Sequence, residues 1–260
     1  MNISYNFAGK VAFITGGTDG IGLASAQGFV DAGAHVMVVG RNVELGDRAL
    51  QQLNAKQKDA ASFVAADMGN ADDIARAVTA CLGKFGRIDF AINNAAAEFP
   101  LVKTADIPIE EVDRTLDVNL RGVWLCMKLQ IEAMQKSGGG AIVNVSSVNG
   151  FASSVNAAMY SASKHGVNGL TTAAAREYIK DGIRINTVCP GAIETPRRQR
   201  RLTGFTPEQV KQHYDSLAQQ IPQGRVATAE EVAAGVLWLC SDAASYVVGH
   251  HLVIDGGLSA

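Results

Sequence analysis

The stretch VAFITGGTDGIG, residues 11–22, decides the fold of this 260-residue chain. A short apolar segment at residues 11–14 has the character of a buried strand, and a glycine-rich turn and a predicted helix follow it. The glycines allow a tight turn and a close approach of the backbone to a ligand. Free amides at the N-terminus of the next helix favour a negatively charged group. The stretch therefore predicts a phosphate-binding loop between the first strand and the first helix.

The spacing of Gly16, Gly20 and Gly22 distinguishes this loop from two better-known patterns. It reads T-G-x-x-x-G-x-G, which differs from the G-x-G-x-x-G fingerprint and lacks the lysine of a P-loop. A glycine cluster can also serve only as a tight strand-to-helix turn. Dinucleotide binding is therefore predicted only if residues further along the chain support it.

Outward from this stretch, short β-branched runs alternate with longer helical segments, which is typical of βαβ units around a parallel sheet. Seven strands are predicted, near residues 11–14, 35–39, 62–65, 88–92, 141–145, 184–188 and 251–254. Right-handed crossovers and double winding predict a Rossmann-type α/β fold with strand order 3-2-1-4-5-6-7 and helices on both faces. Because neither repeats nor a linker interrupt the chain, residues 1–260 are expected to form a single domain.

Residues 192–228 depart from this regular alternation. The segment contains three prolines and two glycines, at Pro196, Gly204, Pro207, Pro222 and Gly224, and exceeds an ordinary helix-to-strand connection. It leaves from the carboxyl edge of the predicted sheet, where ligands bind in such folds. We expect a lid over the site, with a disordered insertion as the alternative.

Tyr160 and Lys164 carry the strongest catalytic signal in the chain. Four residues of separation place a phenol and an ammonium on the same face of one helical turn. A free phenol is a poor base at neutral pH because its pKa is about 10, and a nearby cation favours its ionised form. Such pairs also occur by chance on helix surfaces. Ser147, at the end of a predicted strand, adds a hydroxyl that can stabilise a developing oxyanion.

Together these motifs resemble the short-chain dehydrogenase/reductase family over nearly the whole chain. Beyond the glycine loop, the family pattern is matched by Asp67, Asn93-Asn94-Ala95, Asn119, Ser147, Tyr160, Lys164 and Pro190-Gly191. Ser147 stands thirteen residues before Tyr160, the interval usual in the family, whereas Ser146 does not fit. Ala96 departs from the pattern, which has glycine there.

The resemblance implies an oxidoreductase that transfers a hydride between a nicotinamide cofactor and a carbonyl or alcohol group of a small molecule. Tyr160 carries the proton, Ser147 stabilises the oxyanion, and Lys164 binds the nicotinamide ribose and supports ionisation of the phenol. Asn119 extends a proton relay through a water molecule; the alternative is a polar helix residue bonded to a neighbouring turn. The residues expected to bind the cofactor are Gly16, Thr18, Asp19, Gly20, Ile21, Gly22, Arg41, Asp67, Met68, Asn93, Ala95, Tyr160, Lys164, Pro190, Gly191, Ile193 and Thr195.

Within that set, the resemblance implies that Asp67 contacts the adenine and Thr195 the nicotinamide carboxamide. The choice between NAD and NADP depends on the end of the second strand, where an acid would repel a 2′-phosphate. Arg41 stands there instead, and a guanidinium can bind a phosphate through two hydrogen bonds. NADP(H) is therefore expected over NAD(H). Asp19 opposes this, since NADP-dependent relatives often carry a basic residue at its position, and it is a candidate partner for Arg41.

The sequence RRQRR at residues 197–201 is the most unusual charge feature of the predicted lid. A solvated lid surface is the favoured interpretation. The alternative is that these arginines steer or bind a carboxylate or phosphate of the substrate. Glu98, in the loop after the fourth strand, has an equally open role.

Composition excludes several other classes of protein. A hydrophobic fraction of 47% and a formal charge of −2 fit a globular enzyme and exclude both a basic nucleic-acid-binding protein and a disordered chain. No segment has the length of a membrane helix or the pattern of a secretory leader, so we expect no membrane association and a cytoplasmic location. Cys81, Cys126, Cys189 and Cys240 are widely spaced and predicted to be core thiols. The five histidines lack metal-ligand spacing, so no metal is expected.

Three alternatives remain from the sequence: an NAD-dependent alcohol dehydrogenase of the same family, a non-catalytic nicotinamide-binding sensor, and an epimerase or dehydratase with tightly held NAD. By analogy with the family, a homotetramer or homodimer is expected, through the helices around residues 112–136 and 157–179, with the last strand at a second contact.

Overall fold

The computed structural model describes residues 4–260, in which seven parallel strands form one sheet in the predicted order, β3-β2-β1-β4-β5-β6-β7. The strands are β1 (Val11–Thr15), β2 (His35–Gly40), β3 (Ala61–Ala65), β4 (Phe90–Asn93), β5 (Gly140–Val145), β6 (Ile183–Pro190) and β7 (His251–Ile254). Each lies within two residues of its prediction. The fourth strand begins at Phe90 rather than at residue 88, because the Asp89 carboxylate accepts a hydrogen bond from the Val11 backbone amide at 2.9 Å.

The helices alternate with the strands and cover both faces of the sheet. They are α1 (Gly20–Asp31), α2 (Val43–Leu53), α3 (Ala71–Phe85), α4 (Ile109–Leu116), α5 (Gly122–Ser137), α6 (Ala158–Tyr178), α7 (Pro196–Arg201), α8 (Pro207–Gln220) and α9 (Ala229–Cys240). A π-helical turn, Asp117–Arg121, joins α4 to α5. Helices α1 and α9 contribute to the core on one face, and α3, α5 and α6 contribute on the other.

The central strands are apolar on both sides because both of their faces are covered. In β1, Ala12 and Ile14 pack towards α1 and α9, whereas Val11 and Phe13 pack towards the opposite layer. Phe13 has no exposed surface. Full burial of one such side chain stabilises the fold by about 1.5–3 kcal/mol. This packed centre fixes the carboxyl edge, from which the site is built.

The segment at residues 192–228, predicted as a lid, forms α7 and α8 and returns to the sheet next to its starting point. The Ala227 amide donates to the Ala192 carbonyl at 3.1 Å, and the Glu194 amide donates to the Ala227 carbonyl at 2.8 Å. Thr195 and Thr206 cap the two helices through their side chains. Within residues 196–220 no side chain is buried. The segment is therefore ordered but lies outside the core; its closing over a ligand remains a prediction.

The cysteines Cys81, Cys126, Cys189 and Cys240 are all buried free thiols. Burial raises the pKa of Cys126 to about 12, as expected for an unreactive core thiol. Among residues 4–260, no group of three potential ligands is placed to hold a metal ion, and no helix has both the length and the apolarity to cross a bilayer.

Candidate active site

The glycine loop is shaped by the end of β4. Gly16 has a φ of +61°, a conformation that glycine adopts without steric cost. The Asn94 side-chain amide donates to the carbonyls of Thr15 and Gly16 at 3.1 and 2.9 Å. The Asn94 backbone amide donates to Thr15 Oγ1 at 3.0 Å. A Cβ atom on Gly22 would lie 2.1 Å from the Gly16 carbonyl oxygen, so the loop needs glycine there. Asn94 was not predicted as a site residue, although it stands in the Asn-Asn-Ala motif.

The N-terminus of α1 faces this loop. Asp19 is the cap residue, but its side chain makes no capping hydrogen bond to the first turn. The first amides of a helix lack partners within the helix and attract anions. The local structure therefore fits a pyrophosphate, as the glycine spacing predicts.

One groove of about 1070 Å³ runs from the loop along the carboxyl edge of the sheet. Its size suits a large ligand such as a dinucleotide. Seven of the predicted cofactor-binding residues line it: Gly16, Thr18, Asp19, Arg41, Asp67, Met68 and Ala95. Arg200, from the lid helix α7, completes one wall. The donors, the glycine turn and the groove together fit a nicotinamide dinucleotide.

Asp19 does not pair with Arg41, its candidate partner from the sequence. Asp19 Oδ2 lies 3.3 Å from Arg200 Nη1, and Arg41 Nη1 lies 3.9 Å from Asp67 Oδ2. The reason is tertiary: α7 brings Arg200 between the glycine loop and Glu98, whose carboxylate accepts from Arg200 Nε at 3.1 Å. Asp19 thus has a cation partner from the lid, and Arg41 remains at the rim of the groove.

Lys164 is almost completely buried, with 2% of its surface exposed. Its Nζ donates to the Val145 carbonyl at the end of β5, at 2.7 Å, and lies 5.7 Å from the centre of the Tyr160 ring. Burial, with a smaller contribution from the positive charge of Arg197, lowers the pKa of Lys164 to about 7, while Cys189 acts in the opposite direction. The ammonium and the phenol are thus brought together where β5 ends.

Ser147 follows β5 and is also buried. Its Oγ accepts a hydrogen bond from the Asn149 amide at 3.2 Å, which leaves the hydroxyl hydrogen free to be donated to another group. Ser146 points elsewhere, since its hydroxyl donates to the Lys164 carbonyl at 3.3 Å. Of the two serines, Ser147 therefore suits the role of donor to an oxyanion.

Asn119 lies in the π-helical turn and has no exposed surface. Its Oδ1 accepts from the Ala97 amide at 2.8 Å, and its Nδ2 donates to Ser163 Oγ at 3.3 Å. Ser163 in turn donates to the Tyr160 carbonyl at 2.7 Å. Asn119 therefore links the loop after β4 to the helix that carries Tyr160. Its part in a proton relay stays a prediction.

Comparisons with known proteins agree with this geometry. A family model described as enoyl-(acyl carrier protein) reductase matches residues 16–259. A 2,5-dichloro-2,5-cyclohexadiene-1,4-diol dehydrogenase of Sphingobium indicum is 37% identical over 98% of this chain and 99% of its own length. A cis-4-hydroxycyclohexanecarboxylate dehydrogenase of Sinomonas cyclohexanicum is 38% identical over 98% of each. A crystal structure of levodione reductase superimposes with a TM-score of 0.90 at 36% identity, covering 97% of this chain and 98% of the other.

The chain belongs to the short-chain dehydrogenase/reductase family. This confirms the resemblance that the motifs suggested. The protein is an oxidoreductase that uses a nicotinamide cofactor and acts on CH–OH or C=O groups. The non-catalytic sensor is thereby set aside.

In this short-chain dehydrogenase/reductase the two asparagines of the Asn-Asn-Ala segment point in different directions. Asn94 binds the glycine loop, whereas Asn93 points into the interior. The Asn93 side chain is 2% exposed and points into the interior, away from the groove. Its amide donates to Gln130 Oε1 at 3.0 Å and to Asn144 Oδ1 at 2.8 Å. Asn144 donates in turn to Thr171 Oγ1 at 2.8 Å. This buried network joins the sheet to α5 and α6 beneath the catalytic residues.

The predicted residues at and after the end of β6 lie at the carboxyl edge of the sheet, separated from Asp67, which follows β3, by the four strands between β3 and β6. The Gly191 amide donates to the Ile254 carbonyl of β7 at 3.0 Å, which carries the chain from Pro190 across the carboxyl edge. A Cβ atom on Gly20 would lie 3.3 Å from Thr195 Cγ2, so Thr195 stands beside the glycine loop. The fold therefore places Thr195 next to the start of α1.

Three residues whose place in the site was not predicted, Phe99, Arg197 and Arg201, lie near Tyr160. The sequence assigned no role to Phe99, and a solvated surface was the favoured interpretation of the arginines. The Phe99 ring stacks on the Tyr160 ring with 4.2 Å between centres and 15° between planes. The guanidinium carbon of Arg197 lies 5.8 Å from the centre of the Tyr160 ring, and that of Arg201 lies 4.4 Å from the Phe99 ring. The only signals in the sequence were an aromatic residue after the fourth strand and an arginine run.

Proposed function

We propose that this enzyme interconverts a secondary alcohol and a ketone on a six-membered carbon ring, with NADP(H) as the preferred cofactor. The observation that carries the proposal is the buried Lys164, whose Nζ lies 2.7 Å from the Val145 carbonyl, at the end of the strand that Ser147 follows, and 5.7 Å from the Tyr160 ring centre. The names of two relatives describe a cyclohexadienediol and a hydroxycyclohexanecarboxylate, which are ring alcohols. The site chemistry and these relatives therefore support the same reaction class.

When bound, the nicotinamide cofactor supplies the hydride for reduction or accepts it in oxidation. In reduction, Tyr160 donates a proton to the carbonyl oxygen, and Ser147 donates a hydrogen bond to the same oxygen as negative charge develops. A lysine whose pKa is about 7 is half protonated at neutral pH, so Lys164 can pass a proton towards the phenolate and recover one. Asn119 lies behind this helix and extends the relay. Oxidation uses the same groups in reverse.

The reaction is tested with a panel of ring ketones with NADPH or NADH and ring alcohols with NADP⁺ or NAD⁺. Tyr160→Phe is expected to lower kcat by about 10²–10⁴-fold because the proton donor is removed, while cofactor binding is retained. Tyr178→Phe, on the same helix, is the control and should keep full activity. Turnover retained in Tyr160→Phe contradicts the mechanism. Stoichiometric NAD in the purified protein, together with epimerase activity, would favour the alternative chemistry.

The preference for NADP(H) is supported by Arg41, whose side chain is 62% exposed at the groove, and by the neutralisation of Asp19 by Arg200. Equilibrium binding of NADPH and NADH tests it. Arg41→Ala should weaken NADPH binding about tenfold and leave NADH within twofold, because only NADPH carries the 2′-phosphate. Arg48→Ala, an exposed arginine on α2, is the control. Tighter binding of NADH to the unaltered enzyme would indicate the NAD-dependent alcohol dehydrogenase instead.

The assembly proposed is a homotetramer or homodimer of one-domain subunits, associated through α5 and α6. Trp124, a large apolar residue on α5, is 47% exposed, which suits burial in an interface. Light scattering of the purified enzyme measures the mass directly. A Trp124→Glu variant is expected to shift the mass towards the monomer, and an unchanged mass would exclude this face.

A further inference from the structure

The four arginines of residues 197–201 lie in different environments around helix α7. Arg198 is partly buried, and its Nε donates to the Ile193 carbonyl at 3.0 Å. Arg200 forms ion pairs with Glu98 and Asp19 at 3.1 and 3.3 Å. Both of these side chains thus have partners within the chain. The favoured interpretation of the run as a solvated surface does not describe them.

The other two arginines, Arg197 and Arg201, are four residues apart and therefore lie on the same face of α7. That face covers the stacked rings of Phe99 and Tyr160. The Arg197 guanidinium carbon lies 5.7 Å from the Phe99 ring centre and 5.8 Å from that of Tyr160, and the Arg201 carbon lies 4.4 Å from Phe99. One Nη of Arg197 donates to the Ala97 carbonyl. One guanidinium group thus stands beside the expected proton donor, and the other lies against the ring stacked on it.

Negative charge is scarce around this pair. Among residues 4–260, no carboxylate oxygen lies within 4.0 Å of a side-chain nitrogen of Arg197 or Arg201. The pKa of Arg201 is lowered by burial first and by the charges of Arg197 and Arg198, and only partly restored by Glu98 and Tyr160. Glu98 itself pairs with Arg200. Lys164 Nζ lies 5.7 Å from the Tyr160 ring centre, so three basic side chains lie near the two stacked rings, and within residues 4–260 none of the three has a carboxylate partner within 4.0 Å.

A guanidinium has five N–H donors, and those not used within the chain remain available to a ligand. Its planar fork matches a carboxylate through two hydrogen bonds. A partly desolvated excess of positive charge is unfavourable unless an anion compensates for it. A substrate anion that entered beside Tyr160 would supply that compensation.

We propose that Arg197 and Arg201 bind a carboxylate on the substrate, so that the enzyme acts on ring keto acids and hydroxy acids rather than on neutral ring ketones and alcohols. This inference rests on the proposed function and specifies its substrate class. The carboxylate is held by α7 while the carbonyl oxygen meets Tyr160 and Ser147. The two arginines are specificity-determining residues and take no part in the proton transfer.

A matched pair of probes tests the inference: 4-oxocyclohexanecarboxylate and its methyl ester, which differ in charge at nearly the same shape. We expect the unaltered enzyme to favour the acid in kcat/KM. Arg197→Met should lower kcat/KM for the acid by about 10–100-fold and for the ester by less than threefold, because a charge-assisted hydrogen bond is lost only from the acid. Arg201→Met should act in the same direction. Lys211→Met, which removes an exposed lid cation paired with Asp215, is the control and should change neither value.

Equilibrium binding provides a readout without turnover. Cyclohexanecarboxylate should bind the enzyme saturated with cofactor, and the affinity should fall at least tenfold in Arg197→Met. Cyclohexanecarboxamide, its neutral analogue, should bind weakly to both forms. Rising salt should lower the rate with the acid and leave the rate with the ester unchanged.

Four results would overturn the inference. Equal kcat/KM for acid and ester in the unaltered enzyme would do so while leaving the proposed function intact. Equal losses on both probes in Arg197→Met would indicate a structural role for the arginine. Weaker NADPH binding in Arg197→Met, with the acid preference unchanged, would assign the charge to cofactor phosphates. Absence of turnover on every ring ketone contradicts the proposed function, and if cyclohexanecarboxylate also fails to bind, this inference fails with it.

Discussion

The catalytic floor and the lid of this enzyme are held by different forces. The floor comprises Asn119, Ser147 and Lys164, which are at most 8% exposed and hydrogen-bonded to their surroundings. The lid, residues 192–228, has no buried side chain between residues 196 and 220, and in that part Arg200 forms ion pairs with the body of the enzyme. The residues expected to carry the proton chemistry are thus fixed by burial, whereas the arginines proposed to select the ligand lie on a helix with no buried side chain.

The floor is expected to give the largest effect when its oxyanion donor is removed. Ser147→Ala should lower kcat by about 10²–10³-fold, or about 3–4 kcal/mol of transition-state stabilisation, because the developing charge loses a hydrogen bond. Steady-state kinetics on the best ring ketone measures this. Ser153→Ala, an exposed serine in the same loop, should be unaffected. If Ser147→Ala keeps normal kcat, the floor does not supply the oxyanion donor.

The buried network under the floor should contribute to stability more than any lid contact. Asn144→Leu removes one of the two buried acceptors of the Asn93 amide and the buried donor to the Thr171 hydroxyl, and should lower the free energy of unfolding by about 3 kcal/mol. Urea denaturation measures the change. Gln135→Leu, which removes only an exposed hydrogen bond, should cost less than about 0.5 kcal/mol. Similar losses in the two variants would mean that burial of the network is not what matters.

The free-energy cost of burying Lys164 can be measured from the pH dependence of stability. Its pKa is about 7 in the folded protein and 10.5 without the fold, so between these values the unfolded chain binds more protons and stability rises with pH. Below pH 7 Lys164 is protonated in both the folded and the unfolded protein, so the full destabilisation caused by burying its charge remains. Lys164→Met removes this dependence, so the stability of the variant relative to the unaltered enzyme should be greater at pH 6 than at pH 9, by about 3 kcal/mol.

Unfolding measured at the two pH values, without cofactor, checks this difference. Lys58→Met, at an exposed position, should show no such pH dependence. If the difference in stability between Lys164→Met and the unaltered enzyme is the same at both pH values, the buried amine keeps an ordinary pKa. The same variant should lose activity, since the ammonium beside Tyr160 is gone.

The lid should show the smallest effect on stability. Arg200 has a side chain that is 52% exposed, and exposed ion pairs contribute at most about 1 kcal/mol, so Arg200→Gln should change the free energy of unfolding by less than that. Amide exchange in residues 196–220 should nevertheless become faster, because the link to Asp19 and Glu98 is weakened. Arg176→Gln, on the exposed side of α6, is the control. A loss above 2 kcal/mol would place the lid within the cooperative core and remove the contrast.

Much of the floor could be predicted from the sequence because its signals are local. The four-residue spacing of Tyr160 and Lys164 fixes their common helix face, and the alternating apolar runs predicted all seven strands within two residues. The start of β4 was missed by two residues, because the long-range bond between Asp89 and Val11 decides it. The inward direction of Asn93 was also hidden, since it depends on Gln130 and Asn144 from neighbouring elements.

The sequence by itself determined the strand order, the glycine loop and the positions of Ser147, Tyr160 and Lys164, since strand periodicity, turn chemistry and helix spacing act over a few residues. Only the tertiary structure decided which arginine meets which group. Arg200 pairs with Asp19 across 181 positions of sequence, and Arg197 reaches Tyr160 only because α7 folds back over the carboxyl edge. Local patterns carry no information on such contacts, because a charged side chain on a lid finds its partner only after the sheet has placed both segments.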